Sequence, residues 1–222
     1  MYKAIILDMD GLMFDTERLW EDAFYNIGKK YGQDLSADFH RQVVGTNYNT
    51  IEKVFKYNFG NDFPFANFIQ DCRNYMDNII EKGGLKIKKG LLELLEYLKK
   101  ENYLIAIASS SEKTRILWYL DCAKINKNMF KVIVSGEDIL NGKPDPDIFI
   151  KTCKLLNILP EESLVLEDSA NGVLSSSRAN CDVIWIPDIV DLPDDIKNNI
   201  TKKLDSLLDV IEYLENKKIA VN

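Results

Sequence analysis

Asp8 and Asp10 stand one residue apart at the end of an apolar run. Carboxylates so placed can attack an electrophile, shuttle a proton or hold a hard cation. In an extended chain both side chains point the same way, with Met9 opposite. A carboxylate buried without a partner is costly, so each requires a cation, a donor or water beside it. Gly11 then lets the backbone turn away where a residue with a Cβ would resist.

Three more polar clusters follow apolar runs of the same kind. Ser109-Ser110-Ser111 comes after one, Gly142-Lys143-Pro144-Asp145-Pro146 lies in the loop after a second, and Glu167-Asp168-Ser169 closes a third. Taken singly, each has an ordinary meaning: a helix cap, a solvated turn, a cap with an acidic first turn. Four at matched positions make convergence the better account.

Together they suit phosphoryl transfer. Oxygen ligands from Asp8 and Asp168, with Glu167 direct or through water, match a hard divalent ion such as Mg2+, which takes substrate phosphate readily. Lys143 would balance charge on a phosphoryl group, and the Ser109 hydroxyl with the backbone N–H of Ser110 would cradle its oxygens. Asp8 is then placed to attack phosphorus and carry it as an aspartyl phosphate. Asp10 would protonate the departing oxygen and afterwards activate water, switching from acid to base.

The elements that must position these groups read as alternating strand and helix. Apolar runs at 4–7, 104–108, 132–135, 164–168 and 183–186 have the length and content of strands buried on both faces. Amphipathic helical stretches separate them, among them 90–100 and a closing helix from 205 to about 216. The expected fold is α/β, a Rossmann-like, doubly wound parallel sheet whose ligands gather beyond the carboxyl ends of the strands. From Arg18 to about Ile80 the sequence is helical and aromatic without a convincing buried strand, so the expected division is a core of 1–14 and 84–222 with a helical cap at 15–83.

Composition narrows the function further. In 222 residues, 46% apolar content suffices for a packed interior, and a net charge of −7 argues against broad nucleic-acid or anionic-membrane surfaces. Cys72, Cys122, Cys153 and Cys181 are far apart with no CxxC, and the start lacks a secretory apolar region, which points to reduced thiols and a cytoplasmic location. No run approaches membrane-spanning length. His40 is the only histidine, which makes a Ser-His-Asp triad improbable, and it is expected on the surface. Gly142-Lys143 is not a Walker loop, since Gly136 is one residue too far away and Pro144 replaces the required Ser or Thr. A phospho-accepting signalling receiver also gathers acids, a hydroxyl and a Lys, but it is about half as long and has no helical insert.

With these residues in view, the chain resembles the haloacid dehalogenase superfamily in its beta-phosphoglucomutase-like phosphatase branch. The likeness rests on the DxDGxxxDTE pattern from Asp8 to Glu17, a strand ending at Ser109, Lys143 in a KPxPxxF context, and the pair Glu167-Asp168 before Ser169. It implies a helical cap between the first two motifs, Mg2+ dependence, Asp8 as nucleophile, Asp10 as acid and base, and the Asp10 backbone carbonyl as a further metal ligand. The expected substrate contacts are Ser110, Glu17 and Gly45, and the expected partner is a small phosphorylated metabolite. Mutases of that branch carry a His shortly after the first motif and a cap Arg that grips a second phosphate. Here Trp20 and Tyr48 fall at those places, so hydrolysis of sugar or nucleoside phosphates is expected over phosphosugar mutation.

Overall fold

A computed structural model describes residues 2–44 and 48–219. Strands β1 (Ala4–Leu7), β2 (Leu104–Ala108), β3 (Val132–Val134), β4 (Ser163–Glu167), β5 (Asp182–Trp185) and β6 (Lys202–Lys203) form one sheet in the order β3-β2-β1-β4-β5-β6, every pairing parallel. The central strand explains its own sequence: all four β1 side chains are sealed from solvent because strands flank both edges and helices cover both faces. Leu7 lies level with Ile107 on one side and Leu166 on the other, so the polar residues that follow β1, β2 and β4 emerge at one height. The short β6 was not anticipated, since its two exposed lysines carry no apolar signal; they pair with Ile184 and Trp185 of β5, and Lys203 Nζ lies 4.7 Å from the centre of the Trp185 ring.

Helices α1 (Thr16–Lys30), α2 (Ala37–Arg41), α3 (Tyr48–Phe59) and α4 (Phe65–Ile79) come between β1 and β2, α4 running on into a π turn at Ile80–Gly84. They share an interior of their own, centred on Phe55, whose ring meets those of Phe24, Phe39, Phe65 and Phe68 at 5.0–5.7 Å. Truncating such a ring costs about 3–5 kcal/mol. His40 belongs to this interior. It is 3% exposed and packs edge-on against Phe24 at 5.1 Å, contrary to the surface position expected of it, because α2 turns that face inward.

The chain leaves the sheet at residues 13–15 and returns at 86–88, and these two stretches run side by side. Asp15 N donates to Lys86 O and Lys88 N to Met13 O, both at 2.9 Å. Beyond them, α5 (Leu91–Lys100), α6 (Lys113–Cys122) and α9 (Leu207–Ile219) cover the sheet face carrying Ile5 and Leu7, while α7 (Asp147–Leu156) and α8 (Ala170–Arg178) cover the face carrying Ala4 and Ile6. Helix punctuation follows local chemistry: α5 is followed by Asn102 at φ 59°, α7 is closed by Asn157 at φ 56°, and the Ser169 hydroxyl caps α8 by accepting from Gly172 N. All four cysteines are free, yet the fold brings Cys153 Sγ within 4.0 Å of Cys181 Sγ, a proximity their separation in sequence did not suggest. Among the described residues no helix is long and apolar enough to cross a membrane.

Candidate active site

Lys143 joins three strand ends. Its Nζ donates to Asp8 Oδ1 after β1 at 2.5 Å, to Glu167 Oε1 at the end of β4 at 2.6 Å, and to Ala108 O at the end of β2 at 3.2 Å. The ammonium is 5.1 Å from the centre of the Phe149 ring, and the residue is buried. Burial works against its charge, but the attraction of Asp8 and Glu167 is greater and raises its pKa. Burial in turn raises the Asp8 carboxyl, with Lys143 opposing.

Glu167 is fully enclosed. Its Oε2 accepts from Asp168 N, Ser169 N and the Ser169 hydroxyl at 3.0–3.1 Å, so both oxygens are engaged by the protein. This depends on Gly172, where a Cβ would lie 1.8 Å from Glu167 Oε1. Gly11 has the same role toward Asp168: its φ is +80°, and a Cβ there would lie 2.1 Å from Asp168 Oδ2. Asp8, Glu167 and Asp168 thereby bring one carboxylate oxygen each within 4.8 Å of one another, all three buried. Burial, then the neighbouring Glu167 and Asp8, raises the Asp168 carboxyl.

Asp10 faces elsewhere. Its Oδ1 accepts from the Thr16 hydroxyl at 2.9 Å and its Oδ2 from the Ser111 hydroxyl at 2.7 Å. Burial raises its pKa, and those two hydroxyls hold it back. The Asp10 carboxylate therefore stands outside the group made by Asp8, Glu167 and Asp168. Ser109 is buried and its hydroxyl accepts from Ser111 N, while Ser110 beside it is exposed.

These groups form the floor of a cavity of about 590 Å³. Asp8, Asp10, Ser109, Ser110, Lys143 and Asp168 line it, as does Glu17, but Glu167 lies behind it. Gly45 falls outside the described residues. Trp20 and Tyr48 also line the cavity, with Phe24, Val43, Val44, Ile51 and Ile69 on the same helical wall.

Several residues here were not foreseen. Thr16 and Ser111 orient Asp10; the one sits inside the first motif and the other ends the serine run, so both were in plain view. Arg115, on the cavity wall, donates from its two terminal nitrogens to the two oxygens of Asp77 at 2.8 and 3.3 Å, tying α6 to α4. Asp188, after β5, accepts on Oδ1 from both Arg18 and Lys88 at 2.7 Å. Neither pairing is visible before the helical segment is placed over the sheet.

Residues 5–186 match the profile of the haloacid dehalogenase-like hydrolases. The chain belongs to that family. It is 30% identical over 183 residues to the phosphorylated carbohydrates phosphatase of Thermotoga maritima, covering 82% of this chain and 84% of the relative. It is 31% identical to a protein named probable pseudouridine-5'-phosphatase of Saccharomyces cerevisiae, covering 83% and 82%. The crystal structure of beta-phosphoglucomutase from Clostridium difficile superposes with a TM-score of 0.80 over the whole of both chains at 22% identity, which speaks for the fold. The chain is thus a hydrolase with a Rossmann-like α/β fold, as its sequence led one to expect.

Proposed function

We propose that this haloacid dehalogenase-like hydrolase is a phosphatase of small phosphorylated metabolites, working through an aspartyl phosphate on Asp8. The reading is carried by the Lys143 ammonium between Asp8 and Glu167, with Asp10 held separately by Thr16 and Ser111. Asp8 has one oxygen fixed by Lys143, which orients the carboxylate for attack on phosphorus. As its oxygen bonds to phosphorus, the bond to the substrate's alcohol oxygen breaks, and Asp10 supplies the proton that oxygen needs. Asp10, now a carboxylate, takes a proton from water as the water attacks the same phosphorus. The bond to Asp8 breaks, returning its carboxylate and releasing inorganic phosphate. The two hydroxyl donors keep Asp10 aimed while it alternates between the two states. Ser109 and the N–H of Ser110 are proposed to hold the phosphoryl oxygens, with Lys143 offsetting their charge.

The donor set fits Mg2+: three buried carboxylates converge, and one ammonium does not neutralise them. Asp8, Asp168 and the backbone carbonyl of Asp10 would hold the ion, with Glu167 behind. When bound, it polarises the phosphoryl group and offsets charge there. Helices α1 to α4 act as the cap that selects the alcohol. Water, in place of a second sugar hydroxyl, is the acceptor, because Trp20 and Tyr48 offer a distal phosphate no cation.

A panel of phosphorylated metabolites with Mg2+ and a free-phosphate readout tests the reading. Release from at least one compound, lost in Asp8→Asn, is expected. Conversion of beta-glucose 1-phosphate, with trace 1,6-bisphosphate, to glucose 6-phosphate faster than phosphate appears would overturn it in favour of a mutase.

A further inference from the structure

We propose that the alcohol released is a neutral molecule bearing a planar heterocycle, as in a nucleoside monophosphate, and that His40 and Glu17 read its polar edge. This rests on the phosphatase reading above and concerns only the part of the cavity away from the phosphate. That part is largely apolar and aromatic: Trp20, Phe24, Val43, Val44, Ile51 and Ile69. A bare sugar would leave its hydroxyls without partners against such a wall, whereas a flat ring gains contact area from it.

Two polar side chains are set into this wall on the helical side of the cavity, and neither satisfies the other. His40 Nε2 lies 3.7 Å from Glu17 Oε2, beyond hydrogen-bond reach, so neither atom fills the other's capacity; His40 Nδ1, also without a hydrogen-bond partner among the described residues, is enclosed and is not the atom offered to a ligand. Unfilled hydrogen-bonding capacity in an enclosed site is matched to the edge of a ligand. Burial raises Glu17 to about 8 and lowers His40 to about 4, so near neutral pH the pair offers an uncharged acid and an uncharged imidazole. Both are suited to a ring's carbonyl and N–H groups.

The cavity's cations do not invite a second phosphate. Arg115 is committed to Asp77 and Tyr119, and Arg73 faces Glu112 at 3.7 Å. Glu112 and Glu137 line the same space and would repel a further anion.

The test uses the full chain with Mg2+ and phosphate release from uridine and adenosine 5'-monophosphates, flavin mononucleotide, ribose 5-phosphate, glucose 6-phosphate, fructose 1,6-bisphosphate and acetyl phosphate. The ring-bearing esters are expected to have the highest kcat/KM. His40→Ala, His40→Gln and Glu17→Gln should each raise KM for the best of them, lowering its kcat/KM about tenfold more than that of acetyl phosphate. Two safeguards guard against misfolding: His40→Gln keeps a polar side chain, and circular dichroism confirms that each variant is folded. A sugar phosphate or bisphosphate as best substrate, or equal losses on all esters, overturns the inference and leaves the phosphatase reading standing. No phosphate released from any compound removes both.

Discussion

Lys143 Nζ stands 2.5 Å from Asp8 Oδ1 at the buried junction of three strands. The charge of the proposed nucleophile and the charge of its neighbour Glu167 are thus both tied to one side chain, and removing it would leave two enclosed carboxylates unpaired.

Lys143→Ala should therefore destabilise the fold by about 3–5 kcal/mol, the usual result of stripping one partner from a buried pair. Phosphate release should fall by about 100-fold or more through loss of charge stabilisation. Lys143→Arg should not restore activity, because a planar guanidinium cannot take the place of one ammonium that donates at once to Asp8 Oδ1, Glu167 Oε1 and Ala108 O at 2.5–3.2 Å. Urea unfolding and single-turnover kinetics separate the two effects, and an unchanged single-turnover rate would dismiss the catalytic role.

Asp8→Asn is expected to abolish turnover while the protein stays folded, with a melting temperature within about 5 °C of the parent. Trapping of phosphorus on the parent, and its absence in the variant, identifies the acceptor by mass spectrometry of an acid-quenched reaction.

Asp10 should report its two donors in the pH profile. The Thr16 and Ser111 hydroxyls lower a carboxyl that burial has raised, so Thr16→Val or Ser111→Ala should let it rise further. Asp10 would then remain protonated to higher pH, and the alkaline limb set by the acid step should move upward. Limbs that coincide with those of the parent would count against Asp10 as the proton donor.

Gly172→Ala tests the support of Glu167 from behind. The new methyl would lie 1.8 Å from Glu167 Oε1, so either the carboxylate or the start of α8 must shift. Activity should fall about 10-fold or more, since small displacements of supporting groups are amplified at a reacting centre. Mg2+ should also be needed at higher concentration, which a titration of rate against the ion measures directly.

Without divalent ion, stability should decline as pH rises above about 6.5. Burial, then Asp10 and Asp188, raises Glu17 from 4.5 to about 8. Between those values the folded chain keeps a proton that the unfolded chain releases, so this contribution is complete below the unfolded pKa and lost as pH passes through the folded one. His40, lowered from 6.5 to about 4, has the opposite sign and acts only below about 6.5, whereas Asp8, raised by burial to about 7, works in the same direction as Glu17, so Glu17 accounts for part of the decline. Glu17→Gln should make the decline shallower in chelator-treated protein, as followed by urea unfolding from about pH 6.5 to 8.5.

The sheet could be read in the sequence because runs such as Ala4–Leu7 and Leu104–Ala108 must be buried on both faces, and their polar successors then share one edge. Convergence of Asp8, Lys143, Glu167 and Asp168 followed from that topology alone. His40 could not be read the same way. Its burial depends on how α2 lies against Phe24, and no local pattern announces that a single polar residue faces inward. Arg115 was hidden for a related reason: its partner Asp77 belongs to α4, and only the placement of the helical segment over the sheet brings them together. The extended pairing at Lys202–Lys203 left no trace either, since two exposed lysines laid along the edge of β5 carry no apolar pattern.

Because residues 13–15 and 86–88 are hydrogen-bonded neighbours, the whole stretch between them begins and ends at one doorway. A gene could exchange that stretch for another of different length, provided its two ends met at the same gap, without asking the strands to find new register. Descendants of such an exchange would inherit a working phosphorus chemistry intact and acquire a new taste in alcohols.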